Sequence, residues 1–447
     1  MTDDTPLQYA REQRERFVED LLELLRIPSI STLPEHRADM ERAARLLRDK
    51  LQAMGFDTEL VTGDGPPLVY AEWLQATDAP TVLVYGHYDV QPADPLELWE
   101  SPPFEPSIRN GNLYARGSSD DKGQLMVSIA AADVLLHTTG TLPANLKFLI
   151  EGEEENGGEV VNAYLHSHDE RLHADVAQIA DGAMFAAGVP TIDTGLRGTV
   201  YTEITARGAA SDLHSGVYGG IAPNPLNALA HVIASLKNTD GRIQIPGFYD
   251  AVEMPRADVL DTWEQLPFDA DALRSEIGAS DLVGEPGFSE LERMWARPTL
   301  DVHGIAGGFT QEGAKTVIPS EATAKISMRI VPNQQVESVF ESFRRYVLEL
   351  APPGIELDVR LLHAANAVVV PDDSRYVQAA SAALQETFGR PAVRARSGGS
   401  IPVVGLIKDV LGIDTVLMGW GLPDDNLHAP NEKFSLQNFY DGIDTTV

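Results

Sequence analysis

The 447 residues include no cysteine, which excludes disulfides and thiolate metal sites together. Any bound metal must then be held by histidine and carboxylate. No apolar run approaches the ~18 residues needed to cross a bilayer. The opening MTDDTPLQYAREQRER has no apolar stretch behind a basic start. A secretory signal is therefore not expected, and a cytoplasmic location is. Positive charge is also scarce: 34 Lys and Arg stand against 67 Asp and Glu, a net charge of -33. So acidic a surface repels phosphate backbones and anionic membranes, which argues against nucleic-acid and membrane partners.

What is present is the composition of a soluble globular protein, 43% hydrophobic and 23% charged. The length exceeds one ordinary core, so two domains are expected. Residues 8 to 26 read as an amphipathic helix with Phe17, Leu21, Leu24 and Leu25 on one face, stopped at Pro28. A second helix spans 36 to 54 and ends at Gly55. Strand-like runs then alternate with helical ones: TVLVYG, QLMVSIAAADVLLH, NLKFLIEG, VVNAYLHSH, DVAQIADG. That alternation predicts a mostly parallel sheet with helices on both faces.

The pattern changes near residue 197. GTVYTEITARG, TAKISMRIV and IELDVRLL alternate apolar and polar residues, as one-sided antiparallel strands do. Between them lie helical stretches, NPLNALAHVIASL, with Asn224 as N-cap and Pro225 at the first position, and VESVFESFRRYVLEL. A small α/β sandwich of ferredoxin-like type is expected over 197–363, inserted into an α/β domain formed by 1–196 and 364–447. The segment 240–320, rich in proline, glycine and aromatics, yields no assignment.

The acidic and imidazole residues fall at strand ends. His87 and Asp89 follow TVLVYG, Glu151 and Glu153 to Glu155 follow NLKFLI, and Asp181 follows DVAQIA. In open parallel sheets, ligands bind beyond the strand carboxyl ends. Asp120 and Asp121, in ARGSSDDKG, precede a helix on the same side. Each feature alone has a bland explanation: a capped turn, a solvated run of Glu, a helix start. Their recurrence at one sheet edge points to a metal site. The histidines of LHSHDERLH (His166, His168, His173) lie away from any strand tip and read as surface. GSSDDKG lacks the spacing of a phosphate loop, and its aspartates would repel phosphate.

GHYDVQP, ARGSSDDKG, EGEEENGG, IADG, DLHSGVYGG, AKTVIPSEATAKISMRIVPN, GGSIPV and HAPNEKF occur in this order along nearly the whole chain. In this the chain resembles the carnosinase-like dinuclear zinc dipeptidases, of the superfamily that includes carboxypeptidase G, aminoacylase and succinyl-diaminopimelate desuccinylase. The resemblance implies a zinc-exopeptidase-type sheet with an inserted dimerisation domain, a homodimer, and two divalent ions per chain, zinc or else manganese or cobalt. It implies that His87 and Asp181 hold one ion, Glu155 and His428 the other, and Asp120 both. Asp89 would orient His87, and Glu154 would be the general base. Asp121 occupies the position where the family's peptide bond is typically cis. His214 would polarise the scissile carbonyl from the partner subunit, Arg329 would pair with a substrate carboxylate, and Thr316 and Ser400 would add hydrogen bonds. Ser397 stands where relatives are expected to carry an acid. The implied activity is hydrolysis of dipeptides or release of a C-terminal residue. An N-acyl-amino-acid amidohydrolase on the same scaffold is the alternative, and a non-catalytic metal-binding homologue a third reading. Glu154 discriminates against the last, because an inactive relative could lose its base and keep its ligands.

Overall fold

A computed structural model of the chain describes residues 5–63, 65–371, 373–398 and 401–447. It divides into two compact units. One comprises Met1–Thr194, Val370–Ala395 and Leu406–Val447; the other comprises Gly195–Val369 and Arg396–Gly405.

The sheet of the first unit runs Asp57–Val61, Leu68–Trp73, Asn145–Glu151, Thr81–His87, Val176–Ile179, Thr415–Leu417, Thr191–Leu196. Its four central strands are parallel, and the outer pairings are antiparallel. The expected mainly parallel sheet is there, with antiparallel borders. Side chains on a strand alternate between faces. Val69, Ala71 and Trp73 enter a core with Phe17, Leu21, Leu47 and Val127. Between them, Tyr70 points the other way and meets Tyr164 of the helix Glu159–Ser167, ring centroids 6.2 Å apart. Both faces are thus covered. The helix Lys122–Thr139 is buried from Lys122 through Ala132 because it packs against both the strand Thr81–His87 and the helix Leu436–Thr446. This explains why QLMVSIAAADVLL is apolar on all sides.

The helix expected over 8–26 is two helices, Pro6–Glu12 and Arg14–Leu25, separated at Gln13, whose ψ of 9° leaves the helical range. The next helix is Arg37–Ala53, and Gly55 follows it at φ 92°. A left-handed residue there suits glycine, which has no Cβ to clash.

In the second unit, four antiparallel strands run in the order Thr299–Gly307, Glu321–Ile330, Gly198–Arg207, Glu356–Ala365. Val200, Ile204, Ala324, Ile326 and Val359 face a core shared with the helices Pro225–Leu236 and Val336–Glu349. Asn224 accepts the N–H groups of Leu226 and Asn227 and so caps the first of these. The segment left unassigned from sequence supplies the helices Ala257–Glu264, Ala270–Glu276 and Glu290–Trp295 and the edge strand Thr299–Gly307. That strand is exposed from Asp301 to Ala306, so it lacks the in-and-out alternation by which strands are recognised. Among the described residues, no helix is long and apolar enough to cross a membrane.

Candidate active site

Parallel pairing places His87 opposite Glu151 at the carboxyl ends of their strands, with Val176–Ile179 alongside. The segments that leave these three strands therefore emerge at one edge, carrying His87 and Asp89, Glu151 to Glu155, and Asp181. Asp120 arrives from the turn before the helix Lys122–Thr139, and the Asp120–Asp121 peptide is cis. Asp121 points elsewhere: its Oδ2 accepts the backbone N–H of His87 at 3.1 Å. His428 arrives from the C-terminal segment at φ 59°.

Two groups form around one carboxylate. His87 Nε2 lies 3.1 Å from Asp120 Oδ1 and 3.9 Å from Asp181 Oδ2. His428 Nε2 lies 2.9 Å from Asp120 Oδ2 and 3.4 Å from Glu155 Oε1. His87, Asp120 and Asp181 make one triad of potential ligands, and Asp120, Glu155 and His428 make the other. Within each triad the ligand atoms lie within 4.8 Å of one another.

The four glutamates following NLKFLI divide by direction. Glu151 takes a hydrogen bond from the Tyr85 hydroxyl beneath the rim, and burial pushes its carboxyl up to about 8. Glu153 accepts the Val160 N–H. Glu154 and Glu155 form a short turn whose backbone N–H groups both donate to the Asp89 carboxylate, at 3.2 Å each. Glu155 Oε2 also accepts the Gln91 amide at 2.8 Å. The tautomer of His87 has two anchors: Nδ1 lies 3.1 Å from the Asp89 carbonyl and 3.3 Å from its carboxylate. With Nδ1–H so engaged, Nε2 presents a lone pair toward Asp120 and Asp181.

That arrangement suits a cation. A neutral imidazole lone pair facing two carboxylate oxygens is repulsive unless a proton or a positive ion sits between them. The protonation equilibria carry the same strain. Burial, and then the Asp120 charge, push Asp181 up to about 8. Burial raises Glu154 to about 6. Hydrogen bonds that its ring donates to Asp120 and Glu155 raise His428 to about 10. Oxygen and imidazole donors without thiolate fit zinc, manganese or cobalt.

His214, Thr316 and Arg329 belong to the second unit. His214 is exposed, pairs with Val317 across a two-residue ladder, and accepts the Gly216 N–H on Nδ1 at 3.0 Å. The Thr316 carbonyl accepts the Ser215 N–H at 3.1 Å, so these two predicted residues are neighbours. Arg329 is half-buried on the strand Glu321–Ile330, and burial lowers its pKa. Ser400 lies outside the described residues. Sequence reasoning did not single out Glu432, Asp425, Ser31 or Gln91. Glu432 stands inside HAPNEKF, but nothing in that string says which backbone its carboxylate would reach.

A parallel-centred α/β unit with two triads of potential metal ligands at its rim suits a metal-dependent hydrolase. The sequence pattern of peptidase family M20/M25/M40 matches residues 83–447, and the chain belongs to that family of peptide-bond hydrolases. It is 32% identical to the Cys-Gly metallodipeptidase DUG1 of Candida albicans, over 97% of this chain and 94% of that protein. It is 30% identical to the Beta-Ala-His dipeptidase of Homo sapiens, over 97% of this chain and 89% of the relative. Among solved structures, an M20 family metallo-carboxypeptidase from Sulfolobus solfataricus is similar with a TM-score of 0.86 and 33% identity, covering 96% of this chain and 97% of that one. The family read from the motifs is thereby established.

Proposed function

We propose that the chain hydrolyses dipeptides, or releases the C-terminal residue of short peptides, using two divalent ions, most simply zinc, with manganese or cobalt as alternatives. The observation that carries this reading is that Asp120 turns one carboxylate oxygen toward each histidine. His87 and Asp181 would complete one ligand set, and Glu155 and His428 the other. The names of the relatives support the substrate class, since two are dipeptidases and one is a carboxypeptidase. Bound there, two such ions supply electrophilic charge that makes a water acidic near neutral pH and polarises a carbonyl.

The chain's own residues do the rest. Glu154 accepts the proton of the attacking water and returns it to the leaving amine. In support, its carboxylate accepts no hydrogen bond among the described residues, and burial has already raised its proton affinity. Asp89 holds the Glu154–Glu155 turn and the His87 ring in register. Arg329 offers a planar fork suited to a substrate carboxylate. His214, with Nδ1 accepting from Gly216, is left with Nε2–H as a donor for a carbonyl oxygen. Thr316 and Ser400 add hydrogen bonds. The working unit is taken to be a cytoplasmic homodimer in which His214 of the partner subunit serves the centre.

The test is a panel of dipeptides, short peptides and acyl-amino acids, assayed with added zinc or manganese. Dipeptide cleavage is expected. Hydrolysis of acyl-amino acids with no dipeptide turnover would move the assignment to an amidohydrolase.

A further inference from the structure

Glu432 is buried to 0% exposure, yet it belongs to neither triad. Its carboxylate is fully engaged. Oε1 accepts the backbone N–H groups of Ser119 at 2.9 Å and Asp120 at 3.1 Å. Oε2 accepts the Gly117 N–H at 3.0 Å and Arg116 Nη1 at 2.7 Å. An ionised carboxylate has about four lone-pair sites, and all are used on one five-residue stretch. That stretch ends in the residue whose two oxygens face the two histidines.

We propose that Glu432 is a positioning residue for the shared ligand Asp120. It fixes the backbone from Arg116 to Asp120 so that the Asp120 carboxylate keeps one oxygen at each triad. It also ties in the second triad, because it lies four residues beyond His428 on the same segment. Asp425, on that segment too, accepts the Ser119 hydroxyl at 2.9 Å and Lys433 Nζ at 2.8 Å. The backbone carbonyl of Glu432 takes the Ala115 N–H at 3.2 Å. The loops carrying Asp120 and His428 are therefore fastened together, with the carboxylate of Glu432 as the central clasp.

Stability alone does not explain this choice of residues. Arg116, 1% exposed, and Glu432 form a fully buried ion pair. Such pairs are commonly matched or bettered in stability by apolar residues of similar volume. An apolar pair could not gather three backbone N–H groups at one point. What the carboxylate adds is orientation, and Asp120 is the residue oriented.

This inference rests on the two-ion reading above, and the experiment separates the two. Metal-free wild type, Glu432→Gln and Glu432→Asp are titrated with Co²⁺, followed by its visible d–d absorption and by elemental analysis, with thermal melting as the check on folding. Gln would turn an N–H₂ group toward N–H donors, and Asp would draw the carboxylate back by one methylene. Both ions should weaken in parallel, by ~10–100-fold in Gln as for other groups that orient ligands, and by less in Asp. Gln91→Ala, which loses a contact to Glu155 alone, should weaken one ion and serves as the contrast. A merely structural role would lower the melting temperature without moving both affinities together. Wild type that takes up two ions beside a Gln or Asp variant that takes them up equally well, or loses only one, overturns the proposal alone. Wild type that takes up none overturns the two-ion reading and this proposal with it. Should neither variant fold, hydrogen exchange on metal-free wild type decides: the amides of Gly117, Ser119 and Asp120 should exchange slowly, and fast exchange refutes the clasp.

Discussion

The Asp89 carboxylate accepts the backbone N–H groups of Glu154 and Glu155, one on each oxygen, and takes the Ser31 hydroxyl at 2.7 Å as well. The carbonyl of the same residue lies 3.1 Å from His87 Nδ1. Asp89 thus joins a strand-tip imidazole to the turn that carries the proposed base and a proposed ligand. Its side chain anchors the turn more than the ring. Asp89→Asn would replace one acceptor with an N–H₂ group facing an N–H donor. Turnover should fall by ~10–100-fold with weakened metal binding, measured by steady-state kinetics and titration. Unchanged kinetics would mean that the carbonyl of Asp89 is sufficient.

Glu154→Gln should keep both metals and remove nearly all turnover. General-base removal typically costs ~10²–10⁴-fold in rate. Kinetics beside metal analysis make the check, and a near wild-type rate would remove Glu154 from the mechanism.

Chelation should abolish activity and leave the fold largely intact, since both units have extensive apolar cores without ions. Asp120→Ala should lose both ions together, because its two oxygens face both histidines. His428→Ala should weaken mainly one. Elemental analysis of the purified variants distinguishes these outcomes, and full activity in metal-free protein would end the metallopeptidase mechanism.

Asp193 sits opposite Leu417 in the sheet. It is partly exposed, yet enclosed enough that burial alone pushes its carboxyl from 3.8 up to about 7. A raised acid favours the folded state fully at pH below its unfolded value and loses that contribution as pH rises through the folded value. Asp193→Asn should therefore melt higher than wild type at pH 8, with the advantage shrinking toward pH 5. Calorimetry at the two pH values measures it; equal shifts at both would contradict the burial cost.

If His214 serves the partner's centre, inactive variants should complement. Glu154→Gln and His214→Ala, mixed equally and allowed to exchange subunits, form heterodimers with one centre that has both an intact base and an intact histidine. About a quarter of all sites should then recover, by the symmetry of an isologous pair. No recovery despite demonstrated exchange would place His214 in its own chain's chemistry or outside it.

Much of the site was legible because strand ends announce themselves. The apolar run 81–86 had to be a buried strand, and His87 and Asp89 had to follow it to the rim. The same holds for Glu151 to Glu155 after 145–150 and for Asp181 after 176–180. What the run of glutamates could not say is which pair faces the cluster, because direction depends on the turn that Asp89 holds. The strand Thr299–Gly307 escaped notice because an exposed edge strand has no buried face to impose alternation. The break at Gln13 is a local backbone choice that amphipathic spacing does not register.

Local pattern, carried by periods of two and of 3.6 residues, determined the elements and the family motifs, since burial acts on neighbours along the chain. The motif resemblance implied that His428 and Asp120 share an ion, and the tertiary structure brings them together across 308 positions. Only the tertiary structure decided that Glu432 clasps the backbone that aims Asp120. Such pairings arise when distant segments close into one packed unit, and hydrogen-bond partners are chosen by proximity in space, which sequence spacing does not encode.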